Sequence, residues 1–297
     1  MNPVSASPDA APLPGMSLRS RSLRRGIDRV MQILSLLAAL LGIVFLAWIL
    51  LAVVARGATA LTPSFFLEPP APPGGSGGGL GNAMLGTLVM TALATALGVP
   101  VGILAGVYLS EFGRRSRSGS VVQFTVNLMM GIPSIIMGLF VYTLMVVPMG
   151  RFNGYAGGVA MALLIVPIVA RTTEDMLGLV PNALRESALA LGAPRWRVTA
   201  QVLFPSARAG LTTGVLLALA RVSGETAPLL FTALNSPYWP DSLDKPVANL
   251  TVTIFAFAMS PYPGWQAAAW GASLLITAAV LVVTIAARVI LTKGSRP

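Results

Sequence analysis

Arg185-Glu186-Ser187-Ala188-Leu189-Ala190-Leu191-Gly192-Ala193-Pro194-Arg195-Trp196-Arg197, continuing through Val198 to Val202-Leu203-Phe204-Pro205, is the stretch that organises the chain. Glu186 to Leu191 are mostly good helix formers. Gly192 is suited to the left-handed conformation that ends a helix, and Pro194 suits the first turn of the next one. Pro205 is expected to stop or kink that second helix. The spacing therefore predicts helix, tight turn, helix. At the turn, Arg195, Trp196 and Arg197 form a cationic-aromatic tip suited to a groove on another protein. By composition alone the same stretch also fits an amphipathic loop resting on anionic headgroups.

The surroundings decide where such a loop can sit. The 297 residues are 55% hydrophobic and 10% charged, where a soluble domain carries about 25% charged residues. Mean hydropathy is +0.78. The apolar residues come in blocks that read as membrane spans: Val30–Val54, Leu85–Tyr108, Val121–Val147, Gly154–Ala170, Ala209–Leu234 and Ala267–Ala287. The fourth is short and is expected to extend into Arg171 or to start earlier. Asn249–Met259 is too short to cross and reads as a helix or re-entrant piece on the outer side. The first block is longer than a signal-peptide core, so it reads as an uncleaved span. The Pro/Ser/Ala-rich Met1–Ser17 before it reads as disordered.

The net charge of +10 is compatible with nucleic acid, but the cations cluster between spans. With the N-terminus inside, Arg19, Arg21, Arg24, Arg25 and Arg29, then Arg114, Arg115 and Arg117, then Arg171, Arg185, Arg195, Arg197 and Arg208, then Arg288, Lys293 and Arg296 all fall on the inner side. Only Arg56, Arg151 and Lys245 fall outside, so both termini are expected in the cytoplasm and no nucleic acid is implied. Cys and His are absent, which removes disulfides, thiol nucleophiles and the commonest general base. An enzyme is disfavoured on those grounds. Neither lysine follows a glycine, so there is no phosphate-binding Gly-Lys-Ser/Thr loop.

The chain divides into a basic N-terminus (1–29), a first span with a Pro/Gly-rich outer spacer (30–80), a main membrane domain (81–291) holding the loop 171–208, and a tail (292–297). In the spacer, Pro69 to Pro73 reads as semi-rigid and Gly74 to Gly79 as flexible. Gly98, Gly102 and Gly106, and likewise Gly210 and Gly214, repeat every four residues and let helices approach closely. Pro100, Pro133 and Pro167 predict kinks. Gln123, Asn127 and Ser134 either line a cavity or bond across helices. Arg171, Glu174 and Asp175 could brace the loop. Arg221 lies within the fifth block, near mid-membrane when counted from Ala209, and Glu225 follows at the i,i+4 spacing that permits an ion pair. That pair reads equally as a lock for the bundle or as part of a path for an anion, which needs guanidinium donors once stripped of water.

The spacing Glu186, Ala188, Gly192, Val202, Phe204, Pro205 resembles the "EAA" motif of binding-protein-dependent ABC importer permeases, with Ser187 and Phe204 standing where that family usually has Ala and Leu. Ala220-Arg221-Val222-Ser223-Gly224-Glu225-Thr226-Ala227-Pro228-Leu229-Leu230-Phe231-Thr232 resembles the phosphate-importer permeases of the Pst system, of the PstA type. So do Gly131-Ile132-Pro133-Ser134-Ile135-Ile136 and Gly138 to Tyr142. The resemblance runs from about Leu85 to the C-terminus. It implies an all-α, six-span membrane bundle of MetI-like fold. It also implies a coupling element at Glu186, Ala188, Gly192, Arg195, Trp196 and Pro205, and a substrate path at Arg221, Glu225 and Thr226. The partners implied are a second homologous permease (PstC type), a pair of ATPase subunits (PstB type), a periplasmic phosphate-binding protein (PstS type) and the lipid membrane. No cofactor is expected on this chain, since ATP and Mg would sit on the ATPase. Molybdate, tungstate or sulfate remain alternative cargoes, and an ion-coupled secondary transporter is the reading from another class.

Overall fold

The computed structural model describes residues 18–75, 77–113 and 116–294. The expectations placed on Met1–Ser17, Arg114, Arg115 and Arg296, and on the side chains of Arg19, Arg21, Arg24 and Lys293, lie outside what is described. Among the described residues the regular structure is helical throughout, apart from one isolated bridge between Pro70 and Gly78.

Residues up to Ala52 form a unit of their own, the body of helix α1 (Leu18–Gly57). From Ile33 to Ala55 the helix carries almost only apolar side chains, as a membrane-crossing helix must. The second unit begins at Val53. It contains α2 (Pro63–Leu67), α3 (Gly81–Phe112), α4 (Arg117–Gly131), α5 (Ser134–Met149), α6 (Gly154–Gly178), α7 (Asn182–Ala190), α8 (Arg195–Val222), α9 (Ala227–Leu230), α10 (Leu250–Ala258) and α11 (Pro263–Gly294). Five described helices are long and apolar enough to cross a membrane, or six crossings when α4 and α5 count as one.

Helix α6 is the axis of this unit, and glycine spacing is the reason. Gly98, Gly102 and Gly106 of α3 lie against Ile165, Val169 and Thr173 of α6, while Gly210 and Gly214 of α8 lie against Met176 and Thr172. Without side chains at those points the helices approach closely, and dispersion holds them where lipid competes equally for apolar surface. Met90, Ala94, Met161, Ile165, Val169, Ala218, Val222 and Leu229 fill the core around this axis. A Cβ at Gly102 would stand 2.8 Å from Val169 Cβ and 2.9 Å from the Val166 carbonyl. Gly102→Leu is therefore expected to destabilise the unit by about 1–3 kcal/mol or more through overpacking, seen as a lower melting temperature in detergent. Gly26→Leu, where the added atom meets nothing, is the control.

The structure bears on three sequence readings. First, the kink predicted at Pro133 is present, and it bends the third block by 106° between α4 and α5. Ile132 is extended (φ −76°, ψ 129°), the conformation that the ring of a following proline imposes. Pro100 and Pro167, by contrast, lie inside helices that run on. Second, Pro205 does not stop its helix. A π turn over Thr199–Leu203 precedes it, and α8 continues from Arg195 to Val222; the wider turn accommodates a residue that offers no N–H to the ladder. Third, the glycine run read as flexible is tied down at its end, where Gly79 N–H donates to the Pro69 carbonyl at 2.9 Å, while the proline run read as semi-rigid is held by Trp265 Nε1 donating to the Ala71 carbonyl at 3.1 Å. The fourth span does extend beyond Ala170, to Gly178. Asn249–Met259 forms the nine-residue α10, capped by the Asn249 side chain accepting from Val252 N–H at 2.8 Å.

Candidate functional site

Two places hold the residues that the sequence singles out. One is the turn between α7 and α8. Gly192 has φ +83°. Its N–H donates to the Leu189 carbonyl at 2.9 Å, and Ala193 N–H reaches back to the Ala188 carbonyl at 3.2 Å. These two bonds make a Schellman motif, which satisfies the last carbonyls of α7 and needs a left-handed residue at Gly192. Ala188 packs with Ala193, Val198 and Leu203 in a small core under the turn, so a small residue there lets α7 lie against the base of α8. The other side of the turn faces outward. Leu191 is 88% exposed and Trp196 61% exposed, with Leu184 and Leu189 also open. The Arg197 guanidinium lies 5.4 Å from the Trp196 ring centre. Glu186, Arg195 and Arg197 are exposed around them. An apolar surface ringed by charge in this way is a docking surface in its chemistry.

The loop is anchored by a contact that the sequence reading missed. Arg185 is directed inward, where its Nη2 lies 3.0 Å from Glu111 Oε1 of α3. It also donates to the carbonyls of Leu177 and Val180 at the end of α6. Seventy-four residues separate Arg185 from Glu111, and no periodicity links positions so far apart. The bracing expected of Arg171 is present: it pairs with Glu174 at 3.2 Å and Asp175 at 3.4 Å. The Gln123 amide of α4 lies 3.0 Å from the Glu174 carboxylate of α6, within reach of a hydrogen bond when its nitrogen faces the acid.

The second place is the break after α8. The expected continuous helix through Leu234 ends at Val222, and the chain turns through Ser223 and Gly224 before α9. Arg221 therefore occupies the last turn of α8, where the helix dipole favours a cation. Because the helix stops, Glu225 is not one turn along from Arg221, and among the described residues no ion pair joins them. This corrects the i,i+4 pairing read from the sequence. The carbonyl of Glu225, freed by the break, accepts from Thr251 Oγ1 at 2.7 Å, as a backbone group in a membrane interior must find a partner. Thr226 and Gly224 line a 350 Å³ cavity with Thr251 and Thr277 opposite them, whereas Arg221 lies exposed outside that lining. Val222, next to Arg221, packs in the core with Met161 and Ile165 near the middle of α6. A helix interrupted at the level of the core, with a cation at its end and hydroxyls beside the unwound turn, is a form taken by ion and substrate sites in membrane proteins.

The chain is 48% identical over 275 residues to the phosphate transport system permease protein PstA of Yersinia pestis, covering 93% of each chain. In fold it is similar to a bacterial ABC transporter involved in the import of the polysaccharide alginate (TM-score 0.63, 15% identity, 93% of this chain and 99% of that one). It is likewise similar to the MetNI methionine ABC transporter in an inward-facing form (TM-score 0.57, 23% identity, 73% and 96%). The sequence profile of one family matches residues 98–293, which take in the anchored loop, its exposed turn and the broken helix after it. The chain belongs to that family, the inner membrane components of binding-protein-dependent transport systems.

Proposed function

We propose that this chain is the membrane-spanning permease subunit of an ATP-driven, binding-protein-dependent importer of inorganic phosphate. The observation that carries the reading is the 48% identity to a phosphate permease across 93% of both chains. In this reading the exposed α7–α8 turn faces the cytoplasm, as the charge bias requires. Leu191 and Trp196 with Arg195 and Arg197 seat in a cleft of a separate ATPase subunit. ATP and Mg belong to that subunit, present as a pair of the PstB type. A second homologous permease of the PstC type completes the pathway, and a periplasmic binding protein of the PstS type delivers phosphate. Arg221, free of any acidic partner among the described residues, offers a forked pair of donors to a partly dehydrated phosphate. Thr226 adds a hydroxyl along the unwound turn, which the Thr251 hydroxyl holds open by donating to the Glu225 carbonyl.

The test is purification through this chain with its co-purifying partners identified, followed by reconstitution in vesicles. Uptake of labelled phosphate is expected to require ATP inside and the binding protein outside. Excess molybdate, tungstate or sulfate is expected to leave it unchanged. Uptake driven by an ion gradient without ATP would replace this reading with a secondary transporter, and suppression by one of the other oxyanions would replace the cargo.

A further inference from the structure

We infer that Arg185 and Glu111 form the joint through which movement of the α7–α8 turn reaches the membrane-embedded helices; this rests on the importer reading above. Arg185 joins three elements at once. It stands on α7 and holds Glu111 of α3 through Nη2 at 3.0 Å and through Nε at 3.3 Å to both carboxylate oxygens. It also donates to the carbonyl of Leu177 in the last turn of α6, which accepts from Val180 N–H as well, and to the carbonyl of Val180 just beyond that helix. Ser110 Oγ donates to Glu111 Oε1 at 2.9 Å and steadies the acid. Both charged side chains are only 14% exposed, so water screens them little.

The block that this joint grips is rigid. Helices α3 and α6 interlock along Gly98, Gly102 and Gly106, where a single added carbon would collide with the partner helix. The other contacts beneath the turn, among Ala188, Ala193, Val198 and Leu203, are apolar and allow sliding. A guanidinium fork fixes direction as well as distance. Displacement of the turn by a docked partner is thus passed to α3 and α6 together. Arg185 and Glu111 act as positioning residues and touch neither cargo nor nucleotide.

The joint can be tested in the whole assembly purified through this chain. Because this chain contains no Cys, Ser187→Cys on α7 and Leu88→Cys on α3 are its only labelling sites, and both positions are exposed; the assembly without these two substitutions, labelled in parallel, gives the background from partner subunits. With Arg185 present, the distance between the labels is expected to stay unchanged when a non-hydrolysable ATP analogue is added, because turn and helix move as one. In Arg185→Gln and in Glu111→Gln it is expected to shift or broaden. In vesicles, each variant is expected to hydrolyse ATP within about twofold of the parent yet move at least about fivefold less phosphate per ATP, the lower end of common coupling strengths. The double variant is expected to be no worse than the poorer single.

An unchanged label distance in the variants, or an unchanged phosphate-to-ATP ratio, overturns the joint. Loss of the ATPase from the purified assembly even in Arg185→Lys also overturns it, since that outcome marks a pair that merely holds the fold. The label distance does not depend on cargo. Failure of the unsubstituted assembly to take up phosphate, with the label result as expected, would therefore sink the cargo assignment and leave the joint standing.

Discussion

Arg221→Gln is expected to lower phosphate uptake at least about a hundredfold while the assembly still purifies intact. The substitution removes the charge and the forked pair of donors, and two charge-assisted hydrogen bonds are each worth roughly 1.5–3 kcal/mol. Folding is expected to be spared, because Arg221 is exposed and no acid among the described residues pairs with it. Gln is shorter but polar and a comparably good helix former at the last turn of α8, so the break after Val222 is retained. Arg221→Lys is expected to fall between the two, since a point charge survives but the fork does not. Uptake of labelled phosphate in cells without another high-affinity system, alongside co-purification of the partner subunits, measures both effects. Full uptake by the Gln variant removes Arg221 from the path.

Gly192→Val is expected to uncouple the machine: uptake falls tenfold or more while ATP hydrolysis continues. A Cβ at Gly192 meets nothing within 4 Å, so crowding is not the mechanism. The backbone is. At φ +83° a non-glycine residue is strained by about 1–2 kcal/mol, and more when β-branched. The strain is relieved by opening the bonds from Gly192 to Leu189 and from Ala193 to Ala188, which releases the end of α7 and re-aims Leu191 and Trp196. Gly192→Asn is the discriminating control, because asparagine tolerates the left-handed region and is expected to keep most of the uptake. If Val and Asn behave alike, the turn's conformation is not what matters.

Much of the architecture was legible before any coordinates. The apolar blocks named the crossing segments because transfer into lipid is nearly additive along a chain. The four-residue glycine repeats marked the faces of α3 and α8 that meet α6. The helix-turn-helix at Glu186–Pro205 was readable because Gly192 and Pro194 carry backbone restrictions that hold in any context. The pairing of Arg221 with Glu225 was misread for a complementary reason. Ala220 to Ala233 was read within one apolar block from Ala209 to Leu234, and the spacing assumed an unbroken helix where the helix ends at Val222. Pro228, in the first turn of α9, was the available signal, since proline favours the start of a new helix over the middle of an old one. Pro205 misled in the opposite direction, because a π turn ahead of it absorbed the break.

The sequence by itself determined which segments are apolar enough to cross, which loop carries the exposed turn and which family the chain resembles. Each of those follows from properties that a residue carries with its immediate neighbours: its preference for lipid or water, and the backbone angles open to it. Only the tertiary structure decided how sharply the third span bends, that the fifth is interrupted beside Arg221, and that Arg185 reaches Glu111. Bends and breaks depend on whether freed carbonyls find partners elsewhere, as the Glu225 carbonyl finds Thr251. The Arg185–Glu111 pair depends on the packing that brings the ends of α3 and α6 together, because a buried charge is stable only where its opposite is delivered to it.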